Sequence, residues 1–416
     1  KVAGIGNKAV GDDNKVAGIG NKAVGDDNKV AGVGNKAAGD NNKVAGVGNK
    51  AVGDDNKVAG TDNKVIGDNN KVSGKDNLAL GYKNILKGEN NTTSGKSNSI
   101  EGTDNYVAGR ANTNVGNSDI TNGLYNKVKG NNNITDGRSN EVTGHNNIAD
   151  GRTNKITGDL NIVSGRSNET TGNNNIADGR ENKVIGDLNV ATGRENRVTG
   201  KCNIVSGTEN KVIGNKASVY GRNNKVNATD GTAVGNDNEV TGENSSAFGF
   251  HNIASKIHSS AFGSSNEADG DFSSAFGVKN KISGKWSSAF GNQYEVTGET
   301  SGAFGVGKHE GNGVYNYINE GNNSYMIGNF NKIASGSNDN FILGNKVSIG
   351  TGVQNSVVLG NGSASGGSNT VSVGSSSNKR KIVNVADGTA DSDAATLGQV
   401  KNLIASGGSP DLTNDV

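Results

Sequence analysis

A seven-residue pattern of polar and apolar positions runs through most of the chain. Glycine occupies every seventh position from Gly4 to Gly305, with Ala228 and Lys256 as the exceptions. The residue two before each glycine is mostly small or aliphatic, as at Val142, whereas its neighbours on both sides are more often polar. Because successive side chains of a strand point to opposite faces, this alternation predicts short strands around a narrow apolar interior.

Coiled coils also have a seven-residue period, but these heptads lack the two apolar positions that a coiled coil requires. Each heptad carries a glycine and usually an asparagine three residues later. Glycine costs about 1 kcal/mol relative to alanine at a helix position, whereas glycine and asparagine tolerate the left-handed backbone of tight turns. We therefore interpret each heptad as a short strand followed by a Gly/Asn turn.

Two kinds of heptad alternate between residues 127 and 207, so the true repeat is fourteen residues. One kind is represented by Glu141-Val142-Thr143-Gly144 and the other by Ile148-Ala149-Asp150-Gly151. Two strands per repeat predict an all-β fold, a parallel β-roll or solenoid of 14-residue coils. Coils stacked about 4.8 Å apart would build a rod about 100 Å long.

The second strand of each coil is predicted to carry apolar residues on its outer face. A 14-residue coil buries too little surface by itself, so we expect this sheet to pack against other copies of the chain. Between Lys127 and Lys183 the first strands instead alternate lysine and glutamate, which predicts a solvated sheet with ion pairs between coils. The candidate contact residues between copies are Ile134, Ile148, Ile162, Ile176, Ile204, Phe248, Phe262, Phe276, Phe290 and Phe304.

Composition narrows the class of protein. Lys plus Arg is 42 and Asp plus Glu is 41, so the net charge of +1 argues against a basic nucleic-acid binder. A single proline beside 66 glycines excludes collagen, and no apolar run is long enough for a transmembrane helix. The single Cys202 excludes a disulfide within the chain, and the four histidines form no metal-ligand or catalytic frame with it. We therefore expect no enzyme activity, no cofactor and no metal site.

Two groups of motifs resemble a known family. The Ser-Ser-Ala-Phe-Gly runs and the later Tyr325-Met326-Ile327-Gly328 resemble the head repeats of trimeric autotransporter adhesins of the YadA-like type. The segments Asn384-Val385-Ala386-Asp387-Gly388 and Asp393-Ala394-Ala395-Thr396-Leu397 resemble the neck that follows such heads. The resemblance covers roughly residues 240–405. It implies a left-handed parallel β-roll and a homotrimer on the bacterial cell surface. It also implies that the full-length protein is held in the outer membrane by a C-terminal anchor absent from this chain.

The neck also has a physical interpretation. Leu397, Val400 and Ile404 have the spacing of a coiled-coil seam and are further candidates for trimer contact. Asp391 and Asp393 are expected to cap and charge the start of this helix. We divide the chain into regular β-roll repeats (1–305), irregular coils with an insertion (306–377), a neck with the start of a coiled-coil stalk (378–405) and a flexible tail (406–416).

Two features are candidates for receptor binding. His258, Phe272 and Trp286 lie fourteen residues apart in predicted turns, where aromatic side chains can anchor a partner or pack against a neighbouring protomer. Residues 306–326 lose the period and include Tyr315 and Tyr317. A loop that leaves a rigid scaffold often carries a binding function, although a simple insertion is the alternative.

Three functions are compatible with these features. The resemblance favours an adhesin head that attaches to host cells through a CEACAM-type immunoglobulin receptor or an extracellular matrix protein. A structural spacer or self-associating biofilm protein is the alternative, and the near-identical repeats of residues 1–56 suit it. An ice-binding β-solenoid is the third possibility. The observation that suggests ice binding is a partial ladder of outward threonines at Thr143, Thr157, Thr171 and Thr199. Lysine and glutamate residues lie on either side of this ladder.

Overall fold

The computed structural model describes residues 1–306 and 317–407. Within these residues the chain forms two long parallel sheets and one helix, and consecutive strands alternate between the sheets. We name them sheet A, which receives the first strand of each coil, and sheet B, which receives the second. Chain segments that pass from sheet A to sheet B are A-to-B turns, and the others are B-to-A turns.

Sheet A has 25 strands. They are Val2–Ile5, Lys15–Ile19, Lys29–Val33, Lys43–Val47, Lys57–Thr61, Lys71–Lys75, Ile85–Glu89, Ser99–Thr103, Thr113–Asn117, Lys127–Lys129, Glu141–Thr143, Lys155–Thr157, Glu169–Thr171, Lys183–Asp187, Arg197–Lys201, Lys211–Asn215, Lys225–Val226, Glu239–Val240, Ile253–Ala254, Glu267–Ala268, Lys281–Ile282, Tyr294–Val296, Tyr317–Asn319, Lys332–Ile333 and Ser348–Ile349.

Sheet B contains the remaining strands of the described residues. They are Lys8–Val10, Lys22–Val24, Lys36–Ala38, Lys50–Val52, Lys64–Ile66, Leu78–Tyr82, Thr92–Lys96, Tyr106–Arg110, Ile120–Leu124, Ile134–Arg138, Ile148–Arg152, Ile162–Arg166, Ile176–Arg180, Val190–Arg194, Ile204–Thr208, Ser218–Arg222, Thr232–Asn236, Ser246–Phe250, Ser260–Ser264, Ser274–Val278, Ser288–Asn292, Gly302–Val306, Tyr325–Ile327, Phe341–Leu343, Val357–Leu359 and Val371–Ser372.

The register of the sheets confirms the 14-residue coil. Each strand pairs in parallel with the next strand of its own sheet, so that Ile134 lies opposite Ile148 and Phe262 lies opposite Phe276. After Gly305 the coils lengthen, and Tyr294 lies opposite Tyr317. The fold is an all-β parallel solenoid in which each residue repeats the environment of its counterpart one coil earlier.

The interior is as narrow and apolar as the alternation predicts. Residues two before the heptad glycines are buried on both sheets, for example Val142 and Ala149. They form two apolar clusters, one from Val16 to Val107 and one from Val128 to Val358. The clusters are separated where buried polar side chains, including Asn114, replace the apolar ones.

Buried asparagines form two ladders inside the roll, a feature that the sequence analysis assigned to turns instead. The backbone N–H of Asn147 donates to Oδ1 of Asn133 one coil earlier at 3.0 Å, and Nδ2 of Asn147 donates to the carbonyl of Gly158 at 2.8 Å. The same bonds recur from coil to coil, so each amide satisfies the turn backbone of its neighbours. From Ser245 onward one ladder changes to serine, whose Oγ reaches the corresponding carbonyl.

Most heptad glycines lie at the ends of strands or inside them, which corrects their predicted place in the turns, whereas Gly242, Gly270, Gly284 and Gly298 do lie in turns. Gly151 lies inside the strand Ile148–Arg152, and Gly158 directly follows the strand Lys155–Thr157. Gly158 has a φ of 124°, and a Cβ there would lie 2.0 Å from the carbonyl oxygen of Gly172. The residue in the left-handed turn region is two positions later, as at Leu160. The glycine period is therefore set by the close approach of the next coil.

The neck leaves the roll and ends in the helix Leu397–Ala405. Thr396 is its N-cap and accepts a hydrogen bond from the backbone N–H of Gln399 at 3.2 Å. The prediction that aspartates cap this helix is wrong, because the Asp393 carboxylate accepts hydrogen bonds from the N–H groups of Thr389 and Ala390 instead. These hydrogen bonds lower the pKa of Asp393.

Candidate functional site: the outer faces and turns of the roll

Sheet B carries apolar residues on its outer face along most of the roll, but in two different columns. The isoleucine column (Ile134, Ile148, Ile162, Ile176 and Ile204) occupies the first outward position of each strand and is about two-fifths exposed. The phenylalanine column (Phe248, Phe262, Phe276, Phe290 and Phe304) occupies the position before glycine. Ile204 lies opposite Ser218, whereas Phe248 lies opposite Val234, so the two ladders are neighbours and not one continuous line.

The phenylalanine column is a stack of parallel rings. The Phe248 and Phe262 ring centroids are 4.7 Å apart with an interplanar angle of 5°, and those of Phe262 and Phe276 are 4.8 Å apart. Phe290 and Phe304 remain more than half exposed. A row of large apolar side chains this long is typical of a surface that another chain covers. The described neck residues Leu397, Val400 and Ile404 are exposed as well.

A second set of aromatic side chains lies on the A-to-B turns, and we name it the aromatic turn column (His258, Phe272 and Trp286). The rings of His258 and Phe272 stack with centroids 4.8 Å apart, and Trp286 follows at 6.2 Å. Phe272 is 46% exposed and Trp286 is 52% exposed. The Nζ atom of Lys285 lies 4.1 Å from the centroid of the Trp286 ring, within the range of a cation–π contact.

The backbone under this column is unusual for aromatic residues. His258, Phe272 and Trp286 have φ values of 54°, 57° and 53°, in the left-handed region. That region costs a non-glycine residue about 1–2 kcal/mol and is normally occupied by glycine, asparagine or aspartate. The equivalent turn residues elsewhere include Asn146 and Asn174. Three consecutive coils thus carry bulky exposed rings where a smaller residue would fit at lower cost.

The tyrosines of the irregular region separate into two cases. Tyr317 is buried inside the roll, where its ring lies 5.7 Å from that of Tyr294 and 5.1 Å from that of Phe330. This burial removes Tyr317 from the surface, so its predicted receptor contact is not retained. Tyr294 occupies a ladder position, donates from its hydroxyl to the carbonyl of Gly328 at 2.7 Å, and has its pKa raised by burial. Tyr315 lies outside the described residues.

The outer face of sheet A is polar through the middle of the chain. Lys183 and Glu169 form an ion pair at 3.0 Å across adjacent coils, as the alternating charges predict. Beside this charged column, Thr143, Thr157 and Thr171 stand in register on successive strands. Isoleucine at position 185 interrupts the threonine column before Thr199.

The described residues contain no cluster of His, Cys, Asp or Glu suited to a metal ion. Cys202 is exposed on an A-to-B turn, and its thiol forms no disulfide. Within the described residues, no helix has the length and apolar character needed to cross a membrane.

Comparisons with known proteins give two similarities. The family model described as the grass antifreeze beta roll matches residues 78–165 and 151–233. No curated protein sequence matches the chain. Among solved structures, the collagen-binding domain of the Yersinia adhesin YadA is 22% identical, with 48% of this chain and 84% of that chain covered and a TM-score of 0.26. The family model agrees with the parallel β-roll that the structure shows, and over residues 78–233 the chain is similar to the grass antifreeze beta roll.

Proposed function

We propose that the chain is the head of a bacterial surface adhesin and that it contacts a host ligand through the aromatic turn column. The observation that supports this role is the exposure of three neighbouring aromatic rings on successive A-to-B turns. Tryptophan is among the side chains most enriched at binding hot spots, and rings in register on successive coils form a contiguous exposed surface. The role is one of binding, with no catalytic step.

The location of the column favours a ligand over a neighbouring protomer. The phenylalanine and isoleucine columns point outward from sheet B, whereas the aromatic turn column lies at the edge between the two sheets. A homotrimer packed through sheet B would use the phenylalanine and isoleucine columns for its contact, so assembly does not require the aromatic turn column. We propose this homotrimer as the functional unit, because three copies of a weak site gain avidity on a clustered ligand.

The proposed location is the bacterial cell surface. The ligand class is a matrix protein or a cell-surface receptor of the CEACAM type. Collagen is the first matrix ligand to test, since the similar Yersinia domain is named for collagen binding. A spacer or self-associating protein without a receptor site is the competing function.

Replacement of Phe272 and Trp286 by asparagine tests the proposal. Asparagine suits the left-handed turn, so the roll is expected to fold and to keep its oligomeric state. Binding to the cognate ligand in a panel of collagen, other matrix proteins and CEACAM-type receptors should fall at least tenfold, about 1.4 kcal/mol. Surface plasmon resonance on the intact chain measures the affinity, and light scattering measures the oligomer.

The matched control replaces Leu160 and Leu188 by asparagine, because these residues are also exposed and apolar at left-handed A-to-B turn positions. This control variant should bind like the parent. Equal affinity of the aromatic variant and the parent would overturn the assignment of the site. A parent that binds no member of the panel would favour the spacer function.

Ice binding is a second candidate because of the match to the grass antifreeze roll and the threonine column of sheet A. That column is interrupted at Ile185, and the ion-paired Lys183 and Glu169 lie beside it. Strongly hydrated charges next to a single threonine column do not make the flat surface that ordered water would match. We expect no inhibition of ice recrystallisation, and clear inhibition by the parent would instead establish this function.

A further inference from the structure

The outer face of sheet A in the first coils carries positive charge without acidic residues. Five successive strands place a lysine at the first outward position, in register with one another. The strands between Lys15 and Lys75 contain no aspartate or glutamate. This lysine column consists of Lys15, Lys29, Lys43, Lys57 and Lys71, and Lys1 lies at the same position of the preceding strand.

A groove of about 830 Å³ follows this column. Its floor is a row of exposed alanine methyl groups at Ala17, Ala31, Ala45 and Ala59. Beyond the alanines the same face carries the exposed side chains of Ile19 and Val33. We name this feature the lysine groove. It extends over about 24 Å from Lys1 to Lys71, given a coil spacing of about 4.8 Å.

The groove ends where the sequence pattern changes. Ile85 lies opposite Lys71 in the next coil, and Lys87 lies opposite Ser73. The alanine row ends at Ala59, which lies opposite Ser73, and the lysine column ends one coil later at Lys71. The groove is thus a property of the first coils and not of the roll in general.

The lysines of the column form no ion pair within the described residues. The nearest acidic residues are on the B-to-A turns, where Asp27 and Asp55 line a shallow pocket together with Lys29, Lys43 and Lys57 but lie beyond ion-pair distance of them. Farther along the same sheet the equivalent column alternates in sign, and Lys183 pairs with Glu169. Like charges directly opposite each other on a sheet are destabilising, so an anionic partner would relieve the repulsion.

We infer that the lysine groove binds a linear acidic polysaccharide, with the carbohydrate chain lying along the alanine floor and its anionic groups on the lysines. The coil spacing is close to the length of one sugar residue in an extended chain, so successive sugars meet successive lysines. The C–H faces of pyranose rings suit a flat floor of methyl groups. Lysine, as a flexible point charge, pairs with both sulfate and carboxylate groups.

Single-stranded nucleic acid is the other linear polyanion, and the groove is less suited to it. Binding sites for single strands combine positive charge with aromatic side chains on which the bases stack. The first 81 residues of the chain contain no aromatic residue. The inference goes beyond the proposed receptor contact and does not rest on it, because the groove and the aromatic turn column share no residue.

Binding of a heparin oligosaccharide and of oligogalacturonate to the intact chain tests the inference. These probes distinguish sulfated from carboxylated polysaccharides, and oligothymidylate of equal charge represents nucleic acid. The variant with Lys15, Lys29, Lys43 and Lys57 changed to glutamine should lose at least about tenfold in affinity for the preferred polysaccharide. The slope of log affinity against log salt should fall by about 1 for each lysine that is removed.

The matched control changes Lys22, Lys36, Lys50 and Lys64 to glutamine. These residues belong to the same coils and remove the same charge, but they lie on sheet B. The control should bind within about twofold of the parent. Equal losses in both variants, no binding by the parent, or tighter binding of oligothymidylate than of both polysaccharides would each overturn the inference.

A third variant tests the groove without a change of charge. Ala31→Leu with Ala45→Leu fills the floor and should weaken polysaccharide binding several-fold while melting remains cooperative. Unchanged binding would contradict the position of the carbohydrate. The Phe272→Asn and Trp286→Asn variant should bind the polysaccharide like the parent, which separates failure of this inference from failure of the adhesin proposal.

Discussion

At the scale of single residues, the asparagine ladders inside the roll restrict the residue type at each position more strictly than the outer faces do. Asp119 occupies a position that is asparagine in the adjacent coils, at Asn105 and Asn133. Its Oδ1 accepts hydrogen bonds from the backbone and side chain of Asn133 at 2.7 and 3.0 Å, but its Oδ2 has no hydrogen-bond partner. Asn105 uses the equivalent atom, Nδ2, to donate to a glycine carbonyl. Burial raises the pKa of Asp119 to about 6.

Asp119→Asn should stabilise the roll at neutral pH and have little effect in acid. Because the pKa in the folded chain lies above the ordinary aspartate value of 3.8, the ionised carboxylate opposes folding. Its destabilisation grows as the pH rises from about 4 to about 6 and amounts to about 3 kcal/mol above that range. Thermal melts at pH 4 and pH 7.5 measure the difference.

The opposite substitution, Asn133→Asp, should destabilise the chain in the same pH range. A gain from Asp119→Asn that is equal at both pH values would show that ionisation is not the cause.

At the scale of elements, each strand is only two to five residues long and gains its stability from the coils above and below it. The outer columns are therefore free to differ between segments of the roll. Sheet B changes from an isoleucine column to a phenylalanine column near Ser218, while the interior positions remain small and apolar. This independence allows one sheet to serve contact between chains and the other to face solvent.

Ile148→Lys with Ile176→Lys should break the proposed trimer. Both side chains lie on the outer face of sheet B, and burial of an unpaired charge in an interface costs several kcal/mol. Light scattering should detect smaller assemblies, and the melting temperature should fall.

The matched control for this pair is Ile185→Lys with Ile213→Lys, which are equally exposed but lie on sheet A. This control should keep the parent assembly. A trimer that survives the sheet B substitutions but not the sheet A substitutions would reverse the assignment of the faces.

At the scale of the whole molecule, the roll is a one-dimensional array with three segments of different surface chemistry. The first coils carry the lysine groove, the middle coils carry ion pairs and the isoleucine column, and the later coils carry the aromatic residues. Because contacts are limited to adjacent coils, each segment can change without disturbing the others.

Deletion of residues 29–42 should leave the roll intact, since it removes one full coil and joins Asn28 to a lysine in the same register. Deletion of residues 29–35 removes half a coil. Each strand before the junction then moves to the opposite sheet relative to the strands after it. The hydrogen bond from the Asp26 N–H to Oδ1 of Asp40 is then lost, because the two residues come to lie on opposite edges.

Melting temperatures distinguish these deletions. The full-coil deletion should lower the melting temperature by a few degrees at most, and the half-coil deletion should lower it clearly more. If both deletions lower the melting temperature equally, the two sheets are interchangeable in the first coils.

The sequence by itself determined the repeat, the inward and outward positions and the exposed apolar residues of sheet B. These properties follow from strand alternation and from glycine spacing, which are local and recur in every coil, as at Val142 and Ile148. The tertiary structure decided which residues of different coils meet. It placed the asparagines inside the roll, buried Tyr317 against Tyr294 and formed the lysine groove, because each of these depends on the stacking of one coil on the next.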